Sequence, residues 1–234
     1  MRRLLQLAAI LLLVMGTMAH ASIFKHKEGK HSENVEWLWQ YGPPPPGGRE
    51  TALVLDPRFR PFLAQFLTAP QTFWGNQKTG YKSLAETALD YLSVPDKVIA
   101  DDNRYLSITG CVFRFSSARG LLWVDLGLPH PLIVFAAIDW VREGKPSSDP
   151  DAEYTLWVFP DQAIDPAHIP AALTRSVARW TTEPYAGSTF VQKIRNAILV
   201  DPNGTPHPIP TASIGANTVV QPQIQSQAEQ KENQ

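Results

Sequence analysis

Cys111 is the single cysteine of the chain and so the only candidate thiol nucleophile. A thiol catalyst needs a histidine base and a third group to orient that base. His130 and Asp125 are the candidates for those roles. A lone cysteine in β-forming sequence is more often a small buried hydrophobe. The six histidines are scattered. His26 and His31 lie near the N-terminus, His130 sits between Pro129 and Pro131, and His168 and His207 fall in loop-forming sequence. His26 and His31 bracket what reads as a flexible arm, where a metal site would need further ligands from elsewhere, so neither a metal nor a cofactor is expected. Asp101-Asp102-Asn103 reads as a solvated turn rather than a catalytic carboxylate pair. Phosphate-cradling glycine loops, zincin helices, nucleophile elbows and dinucleotide fingerprints are absent from the sequence. On the residues alone the only enzyme reading runs through Cys111.

The residue that draws notice is a cation, Arg114. It lies between Phe113 and Phe115 in a segment bounded by Gly110 and Gly120, with β-forming sequence on both sides. Residues 111–120 should contain the connection of a hairpin. An arginine between two aromatic rings at a hairpin end has the composition of a protein–protein hot spot. The plainer reading is a surface arginine whose neighbours pack inward.

Several elements would have to position that segment. Residues 50–56 could form a short strand. Residues 57–67 read as a helix with Phe59, Phe62, Leu63, Phe66 and Leu67 on one side, and Pro61 early enough to be tolerated. Ser83-Leu84-Ala85-Glu86 is a capping box opening an amphipathic helix over 83–92. Residues 105–115, 121–126, 132–140 and 153–159 are four strand candidates, rich in Val, Ile, Phe, Tyr and Trp. Their first connections are short, which favours antiparallel pairing. In the last, Tyr154, Leu156 and Val158 should face the core, with Trp157 partly covered on the other side. After Asp165-Pro166 a helix places Leu173, Val177 and Trp180 on one face, and Arg175 and Arg179 on another. Residues 190–200 read as a helix or a helix-to-strand segment, and Asp201-Pro202-Asn203-Gly204 as a turn. The fold class expected is α+β, an antiparallel β-sheet of about four to five strands with helices packed against it.

Composition narrows the setting. The chain has 234 residues and a formal charge of −1, which excludes an electrostatic nucleic-acid binder and a polybasic membrane-surface protein. Arg2 and Arg3, an apolar run and Ala19-His20-Ala21 have the layout of a secretory signal peptide over 1–21. The apolar run is shorter than the ~20 residues that span a bilayer. No membrane span is expected after cleavage, and the mature protein is expected in the periplasm or the medium. Residues 22–49 read as an arm with a proline-rich spacer, anchored by Val35, Trp37, Leu38 and Trp39. Residues 50–205 form the expected domain, and 206–234, rich in Pro, Thr, Gln and Asn, a disordered tail. A lone cysteine in an oxidising compartment also allows a homodimer through an intermolecular disulfide.

The central segment resembles the inhibitor of vertebrate lysozyme family. The resemblance is carried by Tyr105-Leu-Ser-Ile-Thr-Gly-Cys111-Val-Phe-Arg-Phe-Ser116 followed by Leu121-Leu-Trp-Val-Asp125. The order of elements extends it from Arg58 to Trp180. It implies an antiparallel sheet with packed helices, a periplasmic location and no catalytic activity. It also implies a protruding loop, Cys111, Val112, Phe113, Arg114, Phe115 and Ser116, that enters the active-site cleft of a lysozyme or another cell-wall hydrolase. Family members carry two loop cysteines in a disulfide and a loop histidine that meets the catalytic carboxylates. Here Ser116 stands at the second cysteine and Arg114 at the histidine. An arginine can bind carboxylates bidentately, but a loop without its disulfide loses preorganisation. The alternative is an exported scaffold of the same fold whose loop has decayed or been repurposed.

Overall fold

The computed structural model describes residues 35–42, 49–76, 80–127 and 129–219. The expected signal peptide, most of the arm and its proline run, and residues 220–234 lie outside the described residues. The chain after residue 35 begins with a 3-10 helix, Glu36–Tyr41. Helices α1 (Arg49–Val54), α2 (Phe59–Phe66) and α3 (Leu84–Tyr91) follow, with a small ladder of β1 (Gly75–Asn76) and β2 (Gly80–Tyr81) before α3. Then come β3 (Val94–Asp101), β4 (Tyr105–Val112), β5 (Phe115–Asp125), β6 (Leu132–Trp140) and β7 (Glu153–Pro160). Helix α4 (Ala171–Thr181), β8 (Lys193–Val200), β9 (Pro206–Ile209) and a 3-10 turn, Thr211–Ile214, complete the fold.

Strands β3 to β9 form one seven-stranded sheet in sequence order. Every neighbouring pair is antiparallel except β7 and β8, which run parallel because α4 carries the chain back between them. The sheet is wider than the four to five strands expected from the sequence. Strands β4, β5 and β6 are buried on both faces, since each face has its own helical layer. On one face, the first 3-10 helix and α1 to α3 pack Leu38, Leu53, Phe59, Leu63 and Leu92 against Ile108, Leu122 and Phe135. On the other, α4 and the last 3-10 turn pack Leu173, Val177, Trp180 and Ile214 against Trp123, Val134, Leu156 and Val158.

Several expectations hold in detail. The capping box of α3 is complete, with Ser83 Oγ accepting from Glu86 N at 3.2 Å and Glu86 Oε2 accepting from Ser83 N at 3.0 Å. In β7, Tyr154, Leu156 and Val158 are buried, while Trp157 is half-buried and stacks on Phe73 at 5.2 Å. Others are corrected. Residues 49–54 form a helix rather than a strand; a short apolar run does not separate the two by periodicity. Residues 193–200 form a strand with no helix before it. The expected tail begins too early: Pro206–Ile209 is the edge strand beside β8, and Ile214 and Ala216 are buried. Two prolines in four residues mimic loop sequence, yet an edge strand tolerates them because its outer N–H groups need no partner. Val35 and Leu38, expected to anchor the arm to the domain, are buried in its core.

Candidate functional site

The hairpin of β4 and β5 turns on two residues, Phe113 and Arg114, after the last pair Val112↔Phe115. Between that pair and Cys111↔Arg119, three residues of β5, Ser116 to Ala118, have no partner, an enlarged bulge. Bulges bend a hairpin and re-aim its end. Of the six residues expected in the loop, Cys111, Val112, Phe115 and Ser116 belong to strands, Cys111 is buried, and only Phe113 and Arg114 are exposed. The connection is thus a tight turn rather than a six-residue loop.

Phe113 is 64% exposed, among the most exposed large apolar side chains described. The Arg114 guanidinium lies 5.1 Å from its ring centroid, a cation–π contact. Arg114 has φ 63°, a left-handed conformation that costs a non-glycine residue about 1–3 kcal/mol and is enriched at functional sites.

The tip is held from behind by a chain of contacts that starts at two glycines. Gly110 and Gly120 face each other across β4 and β5. A Cβ on Gly120 would stand 2.8 Å from Tyr91 Cβ, and one on Gly110 would stand 3.0 Å from Leu92 Cα. Their bareness lets the C-terminal end of α3 lie directly on the sheet. That contact delivers Ser93 to the hairpin, where its Oγ accepts from Phe113 N at 2.9 Å and donates to Cys111 O at 3.3 Å. Ser93 thereby ties the end of β4 and the first residue of the turn to the end of α3. Sequence inspection did not single it out, because its partners are backbone atoms about 20 residues away, a separation with no local signature.

The other chemical candidates do not assemble. Burial pushes the Cys111 thiol up, with Asp96 adding to the effect and Arg119 opposing it, so it stays protonated at neutral pH. Asp125 pairs with Tyr105 at the far end of β4, about 20 Å from Cys111 at ~3.4 Å per residue. There it is held by the Arg104 guanidinium at 2.7 and 2.8 Å. His130 lies exposed in the connection beyond that end. A thiol triad is not formed. Cys111 is 7% exposed, so a disulfide to a second copy would require the hairpin to open. Asp101 and Asp102 are ion-paired rather than merely solvated, Asp101 with Arg179 at 2.7 Å and Asp102 with Arg175 at 3.0 Å. His168 and His207 pair singly with Asp165 and Asp201. Among the described residues no cluster of three His, Cys, Asp or Glu could hold a metal ion, and no helix is long and apolar enough to cross a membrane.

Below the tip, on the α4 face, opens a cavity of about 350 Å³ between β3, β5 and the segment after α4. Arg119 lines it and is 4% exposed. Its Nη1 donates to Glu183 O at 3.0 Å and Gln192 Oε1 at 3.4 Å, and its Nη2 donates to Trp180 O at 2.9 Å. Burial pulls this guanidinium down to about 10, against the opposing effects of Asp96 and Glu183. The sequence carries one sign of it, an arginine inside an otherwise small and apolar strand.

No protein-family model, no curated protein and no solved structure matches this chain.

Proposed function

We propose that this protein is an exported, non-enzymatic binding protein that occludes the cleft of a lysozyme-like hydrolase with the tip of its β4–β5 hairpin. The observation that carries the reading is Phe113, left 64% exposed under the Arg114 guanidinium at the end of a braced hairpin. An exposed phenylalanine gains about 2–3 kcal/mol when a partner covers it. Retaining glycosidases hold two carboxyl groups about 5 Å apart in a cleft, and an arginine carried on a narrow turn can reach both. The signal-like N-terminus supports a periplasmic or secreted site of action. A second reading keeps the exported scaffold without lysozyme inhibition, and the burial of Cys111 with the brevity of the turn favours it.

The experiment is lysis of a peptidoglycan suspension by c-type lysozyme, with and without the purified mature chain. Dose-dependent protection is expected, weakened at least about ten-fold by Arg114→Ala and by Phe113→Ala. Arg114→Gly should weaken it too while raising stability by about 1 kcal/mol, since glycine accepts the left-handed backbone. Protection that survives Arg114→Ala unchanged would remove the tip from the mechanism. No protection at all would leave the second reading.

A further inference from the structure

The cavity beneath the hairpin holds opposite charges that do not neutralise each other directly. Arg119 is nine-tenths buried, and the acceptors it meets are two backbone carbonyls and a neutral amide oxygen. A buried cation without a carboxylate partner is costly, because neutral acceptors offset only part of its lost hydration. Three of its five N–H groups are used among the described residues, so two remain for a ligand. Asp96 lines the same cavity from β3. Its Oδ2 has one long contact, from Thr109 Oγ1 at 3.4 Å. Lys97 and Glu183, also on the wall, pair with each other at 2.8 Å and so cancel.

Asp96 and Arg119 form no ion pair with each other. They stand on β3 and β5, with β4 between. The two backbones lie about 9.6 Å apart, two strand spacings, and each side chain turns to other partners, Asp96 to Thr109 and Arg119 to two carbonyls and an amide oxygen. The bulge between Pro95 and Lys97 takes Asp96 out of the regular ladder, where its contact with Thr109 brings it to the α4 face. Tyr185 and Pro184 supply an apolar wall. The volume lies at the small end of the ~300–1,000 Å³ range of ligand pockets.

We infer that this cavity binds a small zwitterion, a free α-amino acid, with its carboxylate on Arg119 and its ammonium on Asp96. A ligand with both charges restores the pairing that the empty geometry withholds from each side chain. A simple anion would satisfy Arg119 but would face Asp96 with like charge. An amine alone would face the buried guanidinium. The zwitterion avoids both penalties. This site is distinct from the hairpin tip and does not depend on inhibition of a hydrolase.

The test is calorimetric titration of the full mature chain with racemic alanine, racemic leucine, sodium acetate and methylammonium chloride. Saturable binding of alanine or leucine at one site is expected, with acetate and methylammonium at least about ten-fold weaker. Asp96 is exposed, so Asp96→Asn should fold normally, weaken amino-acid binding about ten-fold and strengthen acetate binding, because the like charge facing the anion is gone. Arg119→Lys is the riskier variant because Arg119 also holds backbone carbonyls, so its near-UV circular dichroism must match the parent before its titration counts. Absence of saturable amino-acid binding through the millimolar range would overturn the inference. So would acetate binding as tightly as alanine, or an Asp96→Asn variant that binds amino acids like the parent.

Discussion

Arg119 and Asp139 are two charges carried into the sheet, and the fold treats them differently. Arg119 receives carbonyl oxygens from Trp180 and Glu183 at the end of α4, groups that a helix C-terminus leaves without intrahelical partners. Asp139 Oδ1 is buried with no hydrogen-bond partner, as is the Tyr91 hydroxyl, whose ionisation the Asp139 charge opposes. Burial pushes the Asp139 carboxyl up to about 6, and neither Arg142 nor the Trp140 N–H offsets that burial. The sign follows from linkage. A carboxyl with a raised folded-state value binds its proton more tightly when folded, so its contribution is favourable below about pH 4. It is lost as the pH rises toward 6. Urea unfolding between pH 4 and pH 8 should show the parent losing about 2 kcal/mol relative to Asp139→Asn across that window. Parallel curves would mean that Asp139 is solvated after all. None of this was legible in the sequence, where Asp139 is one acid at the end of an apolar strand and only its burial makes it unusual.

At the level of elements, the hairpin depends on how closely α3 approaches the sheet. The Gly110↔Gly120 pair permits that approach, and Ser93 converts it into a brace behind Phe113. Gly120→Ala should therefore be destabilising by about 2–3 kcal/mol, because its Cβ would meet Tyr91 Cβ at 2.8 Å inside packed structure. Chemical denaturation would measure the loss, and the exchange rate of the Phe113 amide would show whether the brace loosens with it. A loss under about 0.5 kcal/mol would mean that α3 shifts freely and does not fix the tip. The α3 capping box was readable because every contact in it spans three residues. The glycine pair was visible only as two glycines in β-forming sequence, with no sign of what would lie on them.

At the level of the molecule, the sheet ends where sequence reading placed a tail. Residues 206–219 supply β9, the last 3-10 turn and the buried side chains Ile209, Ile214 and Ala216. Asn217 Oδ1 accepts from Ile194 N at 2.8 Å, and its Nδ2 donates to Gln192 O at 2.8 Å. These tie the C-terminal segment to the start of β8. Truncation after Thr205 should leave β8 as an open apolar edge and give an aggregating product with a lower melting temperature. Truncation after Val219 should retain the melting temperature of the full chain. Equal melting temperatures for both truncations would show that β9 contributes little.

The sequence by itself determined the class of fold, the central strands with their alternation, the capped helix α3 and the presence of a hairpin connection within residues 111–120. These features rest on neighbours a few residues apart, and periodicity records such neighbours. Tertiary structure alone decided the seven-strand width, the parallel pairing across α4, the proline-bearing edge strand, the Ser93 brace and the meeting of Asp96 with Arg119 around one cavity. Each of those depends on residues far apart in the chain, and their pairing is settled by which surfaces can be buried together.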